Sequence, residues 1–249
     1  MGEYVVSRRE VLRLWGTAGA SYLLAAKLSA AQDLVPARNA VDHLLLGAAD
    51  LAEGIAWVEK ATGVKAVLGG SHPGVGTRNA LLSLGGRRYL EIIAPDPEQP
   101  AYRPANFQTD LRTLTTPRLF AWAAGTSDIA AIAESAQRLA QPIIGPSEGS
   151  RARPDGTVLQ WKTLRVRNRF AMHAAEPIPF FIEWASGSVH PSQDSPEGCE
   201  LQSFEFEHPL PGGVMNALIS LGIEANAERA TNARLRATLR TPQGIVELN

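Results

Sequence analysis

Cysteine is almost absent. Cys199 stands alone among 249 residues, which excludes an intrachain disulfide and leaves no cysteine cluster with zinc-finger spacing. Any metal must therefore rest on histidine and carboxylate side chains. A basic stripe is missing too: Lys and Arg are scattered and the formal charge is −1, so nucleic acid is set aside as a partner. No Gly-x-Ser-x-Gly elbow occurs, and Cys199 lies in a polar stretch with no nearby histidine, which argues against nucleophilic hydrolase chemistry. Gly74 and Gly76 hint at a dinucleotide loop, but Asn79 stands where a third glycine belongs. A strand then follows where a helix is needed, which excludes a Rossmann site.

What is present begins with an N-terminal segment unlike the rest. Ser7-Arg8-Arg9-Glu10-Val11-Leu12 precedes a moderately apolar run from Leu14 to Ala26, too short to span a membrane comfortably. Ser29 and Ala31 supply small residues before a cleavage point at Gln32. Residues 1–31 thus resemble a twin-arginine export signal, and the expected location is the periplasm, with the cytoplasm as the alternative. Removing their four cations and two anions takes the formal charge from −1 to −3.

From Val41 the hydrophobic pattern predicts a cycle of strand, helix and three strands. Val41 to Gly47 is apolar and β-rich, and Leu51, Ile55, Val58 and Ala61 share one helical face that ends at Gly63. Val64 to Leu68, Arg78 to Leu84 and Arg88 to Ala94 read as strands. Five prolines between Pro95 and Pro117 mark a crossing segment. The cycle restarts with a strand at Leu119 to Ala124 and a helix at Ile129 to Ala140. Strands follow near Pro142 to Gly145, at Val158 to Val166 and at Pro179 to Trp184, with a turn over Arg151 to Gly156. A shorter third cycle occupies residues 199–249. The expected fold class is α+β, with repeated βαβββ modules forming a cupped mixed sheet over residues 41–191 and a third, shorter module at the C-terminus. An odd module could complete a sheet with a second chain, giving a homodimer.

Each cycle closes on a glutamate inside an apolar strand: Glu91, Glu183 and Glu247. An unpaired carboxylate there is costly, so each needs a cation, a donor or water. Only the first module carries a histidine at this first-strand position, His43, where the second has Ala121 and the third Ser203. His43 and Glu91 are therefore the leading pair. Glu183 is either a second carboxylate of the same site or the partner of an arginine such as Arg165, Arg167 or Arg169. Glu247 reads as an echo of the repeat. His72, Thr77 and Asn79 flank glycines that let backbone approach a ligand, and they are candidates for substrate binding as well as for an ordinary loop. His173, His190 and His208 are taken as surface or loop residues.

Val41-Asp42-His43-Leu44, the Asp50-Leu51 helix start, His72-Pro73 with Gly76-Thr77-x-Asn79, Tyr89-Leu90-Glu91 and Pro179 to Trp184 together resemble the glyoxalase-like branch of the vicinal oxygen chelate superfamily. The resemblance implies paired βαβββ modules cupped around a divalent metal such as Zn, Mn, Fe, Ni or Co. His43, Glu91 and Glu183 fall on three of the four usual ligand positions, and Ala121 on the fourth. It further implies lyase or isomerase chemistry on a small oxygenated metabolite. Glu91 or Glu183 would act as general base, and a metal would steady the developing oxyanion. Dioxygenases and metal-free sequestering proteins share the fold and stand as alternatives.

Overall fold

Element ends follow local chemistry. In the first module, β2 (Val41–Gly47) leads into α1 (Leu51–Thr62). Asp50 caps that helix, its carboxylate accepting from Ala52 N at 2.8 Å and Glu53 N at 3.0 Å. Gly63, at φ 78°, ends it in the left-handed region that costs a glycine least. The computed structural model describes residues 34–99, 108–152 and 156–249. The proposed export signal at 1–31 lies outside them, and no helix among the described residues is long and apolar enough to cross a membrane.

The module continues with β3 (Val67–His72), β4 (Thr77–Ser83) and β5 (Tyr89–Pro95). The second module repeats it as β6 (Arg118–Gly125), α2 (Ile129–Arg138), β7 (Ile143–Ala152), β8 (Val158–Val166) and β9 (Phe180–Trp184). All eight strands form one mixed sheet in the order β3-β4-β5-β2-β6-β9-β8-β7. In each module the last strand pairs parallel to the first, and β2 and β6 join the halves antiparallel. This is the cupped α+β architecture expected from the sequence. Strand β7 is longer than expected: Arg151 and Ala152, assigned above to a turn, pair with Leu159 and Val158.

Side chains alternate between the two faces. Leu44, Leu46, Leu90, Ile92, Trp122 and Phe181 belong to the main core. Leu45, Ile93, Phe120 and Ala121 face the other way, where Leu111 and Leu114 of the crossing segment and Phe180 pack on them. Helix α1 approaches β5 closely at Gly54, where an added Cβ would lie 2.8 Å from Ile92 Cγ2 and 2.9 Å from the Ala48 methyl. Gly54→Ala should therefore destabilise the fold by about 1–3 kcal/mol through overpacking, despite alanine's better helix propensity. A gain in urea midpoint for this variant would contradict that packing.

The third segment departs from a copy of the first two. It comprises β10 (Glu200–His208), α3 (Pro211–Ile219), β11 (Ile223–Glu224), β12 (Ala227–Arg229), β13 (Arg234–Thr241) and β14 (Gly244–Leu248). Its sheet runs β12-β10-β13-β14, so the last strand pairs with β13 and not with the first strand. β11 leaves this sheet to pair with β1 (Val35–Pro36). Residues 35–249 fold as one compact unit.

Candidate functional site

His43 projects from β2 into the concave face and is 3% exposed. Its Nδ1 lies 2.7 Å from Asp42 Oδ1. A carboxylate only accepts, so Nδ1 carries the proton and Nε2 is turned towards β5. There Glu91 Oε2 stands 3.5 Å away. Tyr89 stacks on the imidazole with ring centroids 4.6 Å apart, and Phe180 meets it edge-on at 5.5 Å. The β2–β5 register, His43 opposite Tyr89 and Leu45 opposite Glu91, puts both side chains on one face.

Asp42 is itself held by three donors. Trp184 Nε1 donates to Oδ2 at 3.0 Å, and His190 Nε2 lies 3.1 Å from the same oxygen. The backbone N–H of Ser192 donates to His190 Nδ1 at 3.3 Å, which leaves Nε2 as the protonated nitrogen facing Asp42. Burial pushes the Asp42 carboxyl up, but His190 and His43 outweigh it and bring it down to about 2. His190 and His208 were expected in loops or at the surface; His190 does lie in a loop, and His208 ends β10. Both are buried, at 1% and 3% exposure, because His190 fills the space beside Asp42 and His208 bonds Phe170 O at 3.1 Å. A His-Pro turn after a strand carried no sign of either partner.

On the other side of Glu91, Asn79 Nδ2 donates to Oε1 at 2.7 Å. His72 Nε2 lies 3.6 Å from that oxygen, and its Nδ1 lies 2.8 Å from Thr77 Oγ1. Arg151 Nη1 donates to Asn79 Oδ1 at 2.8 Å, fixing which way the amide points. Burial would raise the Glu91 carboxyl. His72, His43, the Asn79 bond and Arg151 together prevail and hold it below the usual carboxylate range. Burial also lowers His72, with Glu91 opposing, so its neutral form is favoured. Tyr89 is raised well above an ordinary phenol by burial beside Glu91 and Asp42. His72, Thr77 and Asn79, candidates for substrate contact, thus converge on Glu91.

Glu183 does not join this cluster. Phe180 points at His43, so Phe181 and Glu183 point to the opposite, helix-bearing face. There Glu183 Oε2 accepts from Ile129 N at 2.7 Å, at the start of α2, and Lys162 stands across the ladder. Among the described residues, neither the expected ligand position nor an arginine partner is realised. Glu247 instead pairs with Arg236 at 2.9 Å. The second module's side of the concave face presents Ala121 and Ala123 opposite Leu45 and His43, with Phe180 beside them. Among the described residues, no group of three or more His, Cys, Asp or Glu side chains is placed to hold a metal ion.

The glyoxalase-like domain family matches residues 41–222, and the chain belongs to that family, within the vicinal oxygen chelate superfamily. The match extends beyond the two modules into the third segment. No curated protein matches the chain. Among solved structures, a hypothetical protein from Staphylococcus aureus aligns with a TM-score of 0.61 at 14% identity, covering 84% of this chain and 98% of that one. A methylmalonyl-CoA epimerase from Mycobacterium tuberculosis aligns at 17% identity with a TM-score of 0.40, covering 65% and 95%. A Streptomyces coelicolor methylmalonyl-CoA epimerase variant in complex with 2-nitronate-propionyl-CoA gives 16% identity and 0.41, covering 63% and 99%. At 14% identity the likeness to the Staphylococcus aureus protein is one of fold.

Proposed function

We propose that the concave face binds a small oxygenated metabolite and transfers a proton at a carbon beside its carbonyl, in lyase or isomerase chemistry. The observation that carries this reading is the buried line Asp42–His43–Glu91, in which the imidazole faces the Glu91 carboxylate over 3.5 Å. Glu91 Oε1 is engaged by Asn79, so Oε2 is the oxygen that takes the proton. Glu91, kept below the usual carboxylate range, is ionised at neutral pH, as a proton acceptor must be. Tyr89 and Phe180 exclude water around His43.

A divalent ion suits this pair in part. Two donors of one tetrahedral ion lie about 3.4 Å apart, close to the spacing of His43 Nε2 and Glu91 Oε2. Asp42 on Nδ1 is the outer carboxylate that a ligating imidazole usually has. With Glu183 turned away, these two residues would hold the ion and substrate oxygens or water would complete it; Glu91 Oε2 would then be free to take a proton only when it is not a ligand. Such an ion supplies Lewis-acid stabilisation of a developing oxyanion.

The wall of Ala121, Ala123 and Phe180, with the Arg165 guanidinium 5.0 Å over the Phe180 ring, offers no anionic or imidazole ligand and favours a second reading, a metal-free binding or sequestering protein. One experiment separates the two. Full-length protein purified without chelator should carry about one equivalent of Mn, Fe, Co, Ni or Zn by elemental analysis, and His43→Ala should lose it. Absence of stoichiometric metal, with a His43→Ala protein that binds added Mn, Co or Zn as the parent does, would end the metal-dependent reading.

A further inference from the structure

Strands β3 and β7 are the two ends of the eight-strand order, yet they meet. A Cβ added at Gly70 would lie 3.4 Å from the Ala152 carbonyl oxygen. At Gly69 the space a side chain would take is already filled: Asn79 Oδ1 lies 2.4 Å and Arg151 Nη1 2.6 Å from the Cβ position. The guanidinium of Arg151 therefore crosses bare β3 backbone to reach Asn79 on β4.

We infer that Arg151 is a positioning residue for the Glu91 carboxylate, a role that rests on Glu91 being the working base of the cup. The second module supplies Arg151 where Glu183 does not reach. Asn79 is 3% exposed, and its Nδ2 also lies 3.3 Å from His72 Nε2; without Arg151 its Oδ1 would be a buried acceptor lacking a donor, a cost that favours reorientation of the amide. Arg151 has no acceptor atom, so its bond to Oδ1 commits the NH2 of Asn79 to Glu91 Oε1. That bond in turn leaves Oε2 towards His43. Arg151 also places a permanent positive charge two contacts from the carboxylate. The link joins the two edges of the sheet, so closure of the cup and orientation of the base are one event.

The test is read on the 15N-labelled full chain without metal or substrate, so it succeeds or fails apart from the metal experiment. The side-chain NH2 signals of Asn79, assigned by their loss in Asn79→Ala, should exchange slowly with D2O. In Arg151→Met they should exchange at least about tenfold faster. Gly69→Ala, which keeps the guanidinium but fills its path, should do the same, and Arg151→Lys should recover part of the protection. Melting temperature establishes that each variant is folded, and if Arg151→Met does not fold, Gly69→Ala decides. Exchange within twofold of the parent in the folded variants would overturn the positioning role. Fast exchange in the variants combined with a failed metal test would keep the clamp and remove its catalytic meaning.

Discussion

Asp42→Ala is expected to cost about 3–5 kcal/mol of folding stability, the loss typical of removing one partner from a buried charged network. Three donors depend on that carboxylate: the buried His43 Nδ1 and His190 Nε2 and the half-buried Trp184 Nε1. With alanine there, each N–H loses its acceptor, and the two imidazole groups lose it where water does not reach. Urea unfolding at neutral pH measures the effect, and a loss below about 1 kcal/mol would show that the network contributes orientation without stability. The same residue shapes the acid limb of the stability curve. Its folded value of about 2 lies below the ordinary 3.8, so its contribution is fully present above about pH 4. It is lost as pH falls through 2, and its size is about 2 kcal/mol. Asp42→Asn should flatten the curve between those two pH values. Loss of His43 orientation should accompany the loss of stability, because the Asp42 carboxylate sets which imidazole nitrogen faces Glu91.

The modules were legible in the sequence because apolar alternation and glycine or proline breaks coincide there. Strands Val41–Gly47 and Val158–Val166 fall where the pattern places them. The pairing of His43 with Glu91 was also legible, since a parallel first and last strand brings their neighbours into register. Three parts were not. Glu183 sits at the same offset in its apolar run as Glu91, yet strand β9 presents the opposite parity, and one residue of register turns a side chain to the other face. Arg151 looked like part of a turn because Pro154-Asp155-Gly156 follows it closely; the strand runs up to that signal and buries the arginine at 5% exposure. Asp42 was read as flanking His43, and its neighbours His190 and Trp184 are distant in sequence, so only the folded chain joins them. Long-range polar contacts leave no periodic trace.

The third segment raises the same issue at the scale of the core, and Trp122→Ala is the substitution that addresses it. Trp122 on β6 is fully buried, donates its indole N–H to Pro177 O at 2.9 Å, and meets Phe204 and Phe206 of β10 with centroids 5.1 and 5.9 Å away. Leu235, Ala237 and Leu239 of β13 belong to the same cluster as Leu44 and Leu90. The four-stranded C-terminal sheet thus has no separate core; its apolar face is covered by the glyoxalase-like modules. Removing the indole should cost about 3–5 kcal/mol from lost burial and the cavity left behind. More informative than the magnitude is its reach. Protection of amides in β10 and β13 against hydrogen exchange should fall together with that of β2 and β6, since one core stabilises both sheets. A segment that folds independently would keep its own protection when Trp122 is truncated, and the 199–249 region would then be a domain in its own right, as the repeat of glutamates in the sequence first suggests.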